Sequence, residues 1–359
     1  MGTMDSQRSP DVVIAGGGII GLALALELDR RGAQVTVLER GRAMQQASCA
    51  AAGMLAAEDP HNPPALLPLS RWSLQLYPEF LHRIEALSGV TVPFQTTVTI
   101  QTLTGGGGVR LAENSLDPRQ LATAVTAALR ATSICLQEET ELLATSSQPG
   151  GMLLRTNRGE LLAQKVVWTT GAWLAPWVRP VKGQMLRVQL PATFPLREVH
   201  RSESAYVVPR TTGPQAGTAV LGATVEEAGF DLCTQDADLE RLRAQAAHLV
   251  PALQSDHDCP MLEAWAGLRP ATLDGLPVLG AVSPGSAEFL AGGHFRNGIL
   301  LAPASAQTMA NCIEGREPGV DLSAFSTDRF RQQELPRSSA DIRPNGMTTA
   351  ELLAHNQSC

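Results

Sequence analysis

The chain has 359 residues, 44% of them hydrophobic, and 28 Lys and Arg against 35 Asp and Glu give it a net charge of −7. That length accommodates about two domains with a sizeable core, and the acidic balance argues against nucleic acid as a partner. The longest apolar stretch, Val12 to Leu26, is broken by glycines and stops at Glu27, which argues against a membrane span.

In chain order, Val12-Val13-Ile14 predicts a strand running into Gly16-Gly17-Gly18. Ile19, Ile20, Leu22, Leu24, Ala25 and Leu28 then recur at helical spacing up to a stop near Gly32. Val35 to Leu38 is a β-branched run ending in Glu39, so a βαβ unit opens the chain. Ser70 to Leu87 predicts an amphipathic helix and Val90 to Ile100 a strand, with Gly105 to Gly108 as a connector or hairpin tip. Asp117-Pro118 starts a helix reaching about Ala131. Glu138 to Ala144, Gly151 to Thr156, Leu161 to Trp168, Val181 to Leu190, Glu198 to Val208 and Thr218 to Thr224 predict strands spaced densely enough for an antiparallel sheet. Asp236 to Val250 predicts a helix, Glu288 to Leu290 a strand and Ile299 to Glu314 a last helix. From Gln332 the chain is polar and reads as a mobile tail.

Gly16-x-Gly18-x-x-Gly21 follows a strand and opens a helix, and Glu39 stands 18 residues beyond Gly21 at the end of the next strand. This is the context of a dinucleotide fingerprint. Glycine admits a pyrophosphate to the backbone, the helix N-terminus supplies N–H donors, and the carboxylate accepts from a ribose diol. The fingerprint does not separate nicotinamide from flavin. The small-residue run Ala47 to Met54 and the strand-to-turn Trp168-Thr169-Thr170-Gly171-Ala172-Trp173 favour FAD. The six cysteines include no CxxC pair, and no metal site is expected.

The blocks IAGGGIIGLALALEL, SCAAAGML, TTGAW, VKGQMLRV, AYVVPR, WAGLRPATLDGLPVLG and AGGHFRNGILLAPA run from residue 11 to about 330. They resemble the FAD-dependent amine oxidase family that contains D-amino-acid oxidase and sarcosine oxidase, and within it most closely the bacterial glycine oxidase branch. The resemblance implies an α/β protein in which a Rossmann-like FAD-binding domain carries a second, α+β substrate domain built on a mainly antiparallel sheet. The FAD-binding parts fall at 10–89, 117–175 and 261–331, and the substrate parts at 90–116, shortened relative to the family, and 176–260, with a tail at 332–359.

Carried over residue by residue, the resemblance implies that Arg269 holds the substrate carboxylate and that Tyr206 donates its hydroxyl to it. Read without the family, Arg269 pairs instead with an acid such as Asp274, and Tyr206 is a core residue. Arg296 touches substrate or flavin, or forms a surface ion pair. Ile19, Ile20, Glu39, Arg40, Ala47, Ser48, Ala52, Gly53 and Met54 would line non-covalent FAD together with Gly16, Gly18, Gly21 and Gly171, and Leu142 would face the adenine. His294, Phe295, Arg296, Asn297, Gly298, Ile299 and Leu300 would run beside the isoalloxazine, with His294 positional rather than a base. The implied reaction is hydride transfer from the α-carbon of glycine, or of sarcosine or a small D-amino acid, to flavin N5, with O2 reduced to H2O2. The implied role is thiamine thiazole synthesis, in the cytoplasm, by a homo-oligomer as elsewhere in the family. A dehydrogenase using a quinone or carrier, and a flavin-binding subunit without turnover, are the alternatives.

Overall fold

A computed structural model describes residues 9–103 and 105–330. The tail expected from residue 332 lies outside the described residues.

The opening β-branched runs pair as predicted. Val12–Ala15 forms parallel ladders with Val35–Leu38 on one side and Lys165–Trp168 on the other, buried on both faces. Cys135–Gln137 extends the sheet beyond Val35–Leu38. Glu288–Gly292 adds a parallel strand beside Lys165–Trp168, and Val278–Ala281 closes that edge antiparallel. One face of this six-stranded sheet is covered by the helices Ile19–Arg30 and Gly298–Ile313. Behind them lie Leu67–Ser88 and Pro118–Leu129, whose apolar stripes meet in one core. Asp117 starts the last of these by accepting the Arg119 N–H at 3.0 Å. The opposite face is covered by the meander Leu142–Gln148, Gly151–Thr156 and Gly159–Ala163, through Leu142, Met152 and Leu154.

The second sheet has seven strands, in the spatial order Met261–Ala271, Arg179–Gln189, Thr218–Gly222, Tyr206–Arg210, Val199–Arg201, Thr99–Thr102 and Gly108–Leu111. It is antiparallel except where Val199–Arg201 lies parallel to Thr99–Thr102. The helix Asp236–Leu249 covers its back through Leu239, Leu242 and Ala246. The front faces the six-stranded sheet and the candidate site. The protein is therefore a Rossmann-like α/β domain bearing an α+β domain on a mainly antiparallel sheet.

Several elements differ from the sequence reading. Met261–Ala271, assigned above to the nucleotide-binding part, is an edge strand of the second sheet, paired along its length with Arg179–Gln189. Its apolar alternation is interrupted by Gly267 and Arg269, which face the site. Glu198 to Val208 is two strands joined by a tight turn, in which the Ser202 N–H donates to Ala205 O at 2.8 Å and the Ser202 hydroxyl accepts from the Ala205 N–H at 3.2 Å. Leu161 to Trp168 likewise breaks at Gln164, its halves entering different sheets. Gly105 to Gly107, all at positive φ, form the tip between the antiparallel strands Thr99–Thr102 and Gly108–Leu111. No helix among the described residues is long and apolar enough to cross a membrane.

Candidate active site

One cavity of about 550 Å³ runs from the Gly16 turn, between the two sheets, to the front of the second sheet. At the turn, Gly16 has φ 113°, and a Cβ there would lie 2.5 Å from Thr169 O. Only glycine fits. Glu39 braces the turn, accepting the Gly17 N–H on Oε2 at 2.7 Å and the Gly41 N–H on Oε1 at 2.9 Å. Ser48, from the small-residue run, accepts the Ile19 N–H at 3.0 Å and so caps the helix across the cavity. The Thr170 hydroxyl is buried on the cavity wall without a hydrogen-bond partner. Glycines shaped to the strand and helix, a helix N-terminus, an acidic residue at the second strand and an unsatisfied hydroxyl fit a dinucleotide.

The run Ala47 to Met54 is held against the second sheet from behind. Trp265 Nε1 donates to Ala50 O at 3.0 Å, and Arg210 Nη2 donates to Ala52 O at 2.9 Å. Burial pushes the Arg210 guanidinium down to about 10, still protonated at neutral pH, so it adds positive charge behind Tyr206. Small side chains are required because Gly267 approaches so closely that a Cβ on it would lie 2.6 Å from the Ala50 Cβ. On the far wall the helix Gly298–Ile313 points its N-terminus at the cavity, bringing N–H groups and a partial positive charge. The Ser73 hydroxyl anchors its first turn on Leu300 O at 2.6 Å, and the Tyr77 hydroxyl does so on Ile299 O. His294 is buried with Nε2 2.9 Å from Ser305 Oγ, and burial holds its pKa down at about 3. It is neutral and positional.

Arg269 and Tyr206 project from separate strands onto the same face of the second sheet and meet in the cavity. Two glycines make the space: a Cβ on Gly183 would overlap the Arg269 guanidinium, and one on Gly222 would overlap the Tyr206 ring. Arg269 Nη1 donates to Thr224 O at 3.1 Å and Lys182 O at 3.3 Å. The Tyr206 hydroxyl lines the same cavity as the guanidinium, whose positive charge acts on it. Burial raises the Tyr206 pKa against the opposing pull of Arg269, so the phenol is neutral. No carboxylate is paired with Arg269 among the described residues; Asp274 is engaged by Arg329 Nη1 at 2.6 Å. A half-buried guanidinium held on two carbonyls beside a phenol, with no carboxylate in ion-pair contact among the described residues, is a receptor for an anion.

The cavity wall brings together Gly16, Gly18, Ile19, Ile20, Glu39, Arg40, Ala47, Ser48, Ala52, Gly53, Met54, Leu142, Gly171, Tyr206, Arg269 and His294 to Ile299, all named from sequence. Two of the named residues lie off it. Leu300 faces the helix core, because the turn that exposes Ile299 carries its neighbour inward. Gly21 lies under the turn, where a Cβ would be 2.6 Å from Thr169 Oγ1, so it serves the helix-to-strand packing. Arg296 lines the cavity and is also ion-paired, 3.4 Å from Asp59 Oδ1. Asp59 and Arg201 were not foreseen, and Trp173 was named only as the end of the strand-to-turn run that begins at Trp168. Trp173 stacks beneath the Arg40 guanidinium at 3.7 Å. Asp59 sits in a loop marked by Asp-Pro and Asn-Pro pairs, the one sequence signal that could have drawn attention to it.

The sequence profile of the family described as FAD dependent oxidoreductase (DAO) matches residues 11–113 and 100–312. A bifunctional protein ThiO/ThiG of Trichormus variabilis is 35% identical over 370 residues, covering 90% of this chain; the chain spans 55% of that protein's length. A glycine oxidase of Geobacillus kaustophilus is 31% identical, covering 89% of this chain and 97% of its own. The crystal structure of glycine oxidase from Geobacillus kaustophilus superposes with a TM-score of 0.82 at 29% identity, over 89% of this chain and 98% of that one.

Proposed function

The chain belongs to the DAO family of FAD-dependent oxidoreductases, and on that premise we propose that it is a glycine oxidase. FAD, when bound, supplies the two-electron acceptor for the hydride leaving the α-carbon, and dioxygen restores it with formation of H2O2. Gly16, Gly18, Glu39 and Ser48 would hold the dinucleotide, and the run Ala47 to Met54 and the turn His294 to Ile299 would line the part of the cavity that takes its ring.

The remaining work falls to the chain's own side chains. The Arg269 fork receives the substrate carboxylate, and Tyr206, kept neutral by burial, donates its hydroxyl to the same group. Together they fix the α-carbon in one orientation. No protein base is needed, because the neutral substrate amine supplies the electron pair that expels the hydride. The products balance as glyoxylate, ammonia and H2O2 from glycine, water and dioxygen. The Arg269 guanidinium, held on backbone carbonyls without a carboxylate in ion-pair contact among the described residues, in a cavity continuous with the Gly16 turn, is the observation that carries this reading. Sarcosine and small D-amino acids share the recognised groups and belong to the same substrate class. The 35% identical ThiO/ThiG relative supports a role in supplying glycine imine for thiamine thiazole synthesis. A cytoplasmic location and a homo-oligomeric state complete the proposal.

The test is direct. The purified protein is expected to be yellow, to bleach on anaerobic addition of glycine and to release peroxide when air is admitted. A colourless protein that refuses added FAD, or a yellow one that no small amino acid bleaches, overturns the reading.

A further inference from the structure

The Asp59 carboxylate lies between two guanidiniums on the wall of the same cavity. Its Oδ2 is 3.5 Å from Arg201 Nη1 and its Oδ1 is 3.4 Å from Arg296 Nη2. Oδ1 also accepts the His61 backbone N–H at 2.9 Å and faces His61 Nδ1 at 3.0 Å. Arg201 continues the series inward, its Nε donating to Gln101 Oε1 at 2.6 Å and its Nη1 lying 3.3 Å from Glu113 Oε2. From cavity to sheet basic and acidic side chains alternate: Arg296, Asp59, Arg201 and Glu113, the last with its carboxyl pKa raised by burial. The inner three are at least nine-tenths buried, so solvent screens them little. Burial alone would raise the Asp59 carboxyl, but the two guanidiniums outweigh it and keep the group ionised.

Oxidation of glycine does not call for this array, since Arg269 and Tyr206 already receive its single carboxylate. An ionised, buried carboxylate is also costly to desolvate. Its charge does have a consequence for the cavity. Without it, Arg296 would lose its carboxylate partner and Arg201 would keep only Glu113, adding positive charge to the space that also holds Arg269, whose guanidinium is near enough to Arg296 to repel it. Glu203, from the turn after Arg201, adds a further carboxylate to the same wall. We propose that Asp59 is a specificity-determining residue: by occupying Arg296 and Arg201 it keeps this part of the wall near neutral, so that the site accepts amino acids with one carboxylate and rejects those with a second. The inference rests on the glycine oxidase reading for the seating of the first carboxylate on Arg269.

Methoxyacetate and oxydiacetate are the probes. They share one ether skeleton, carry one and two carboxylates, and lack the amine that turnover requires. Dissociation constants are read from the perturbation of flavin absorbance in the holoenzyme. The wild type is expected to bind methoxyacetate about tenfold more tightly than oxydiacetate. Asp59→Asn should move that ratio by at least about tenfold toward oxydiacetate, and Asp59→Glu should restore it. Arg201→Gln, which leaves Asp59 facing one cation fewer, should move it the other way and decides the matter should Asp59→Asn fail to fold. Wild-type protein that binds oxydiacetate as tightly as methoxyacetate overturns the proposal, as do ratios unchanged in the variants. Bleaching by glycine is followed in parallel. Normal bleaching with unchanged ratios sinks this inference alone, and absent bleaching with the expected ratios sinks the glycine reading alone.

Discussion

Gly183 leaves the space that Arg269 fills: a Cβ at position 183 would overlap Nη1, Nη2 and Cζ of the guanidinium. The two residues sit on adjacent paired strands, so the overlap cannot be relieved without moving the ladder or the Arg. Gly183→Ala should therefore displace the fork from its carbonyls and raise the glycine KM by about tenfold or more, with flavin content unchanged. Steady-state kinetics and the flavin-to-protein absorbance ratio check both halves. An unaltered KM would mean that the fork does not grip the substrate.

Arg269→Ala tests the same contact from the other side. Removing one member of a buried charge pair costs roughly 2–5 kcal/mol, which corresponds to about thirty-fold to a few thousand-fold in affinity. The loss is expected in KM, with the protein still yellow, because the residues around the Gly16 turn are untouched. Arg269→Lys should recover little, since a point charge cannot reproduce the two-pronged contact. Wild-type glycine kinetics in Arg269→Ala would remove Arg269 from the substrate site.

The nucleotide cradle was legible because phosphate chemistry constrains the backbone itself. Gly16 and Gly18 are needed for close approach, Glu39 for its carboxylate, and these demands appear as fixed letters at fixed spacing. The strand Met261–Ala271 was not read as part of the second sheet for the converse reason. Its site-facing positions are Gly267 and Arg269, chosen for the cavity, and they erase the apolar alternation by which strands are recognised. Asp59 and Arg201 were illegible for a third reason. They are 142 positions apart, and nothing in either local segment states that a carboxylate and a guanidinium will face each other in one cavity. Leu300 was misplaced by carrying a whole block onto the cavity wall, where helical geometry exposes only one side of a turn.

His294 carries a pH signature of burial. Its ordinary pKa of 6.5 falls to about 3 in the folded chain because burial disfavours the charged ring. Between these values the unfolded state binds a proton that the folded state does not. Stability from this residue is therefore complete above pH 6.5 and lost as pH falls, at up to about 1.4 kcal/mol per pH unit. His294→Gln, which can keep a bond to Ser305, should flatten the dependence of the unfolding midpoint on pH between about 6.5 and 4.5. Denaturant unfolding of both proteins across that range is the measurement, and parallel slopes would contradict a buried neutral imidazole.

Glu39 joins folding to cofactor affinity. Its two oxygens accept the Gly17 and Gly41 N–H groups at 2.7 and 2.9 Å, which fixes the carboxylate where a ribose diol would meet it. Glu39→Gln keeps one acceptor and turns the other into an NH2 group facing an N–H donor. Hydrogen bonds to a charged group contribute about 1.5–3 kcal/mol, so FAD affinity should fall by roughly tenfold to a hundredfold. Because Glu39 lies at the opposite end of the cavity from Arg269, kcat at saturating FAD should be preserved. Titration of apoprotein with FAD, followed by flavin fluorescence, separates the two effects. A variant with wild-type FAD affinity but a lowered unfolding midpoint would confine Glu39 to bracing the turn.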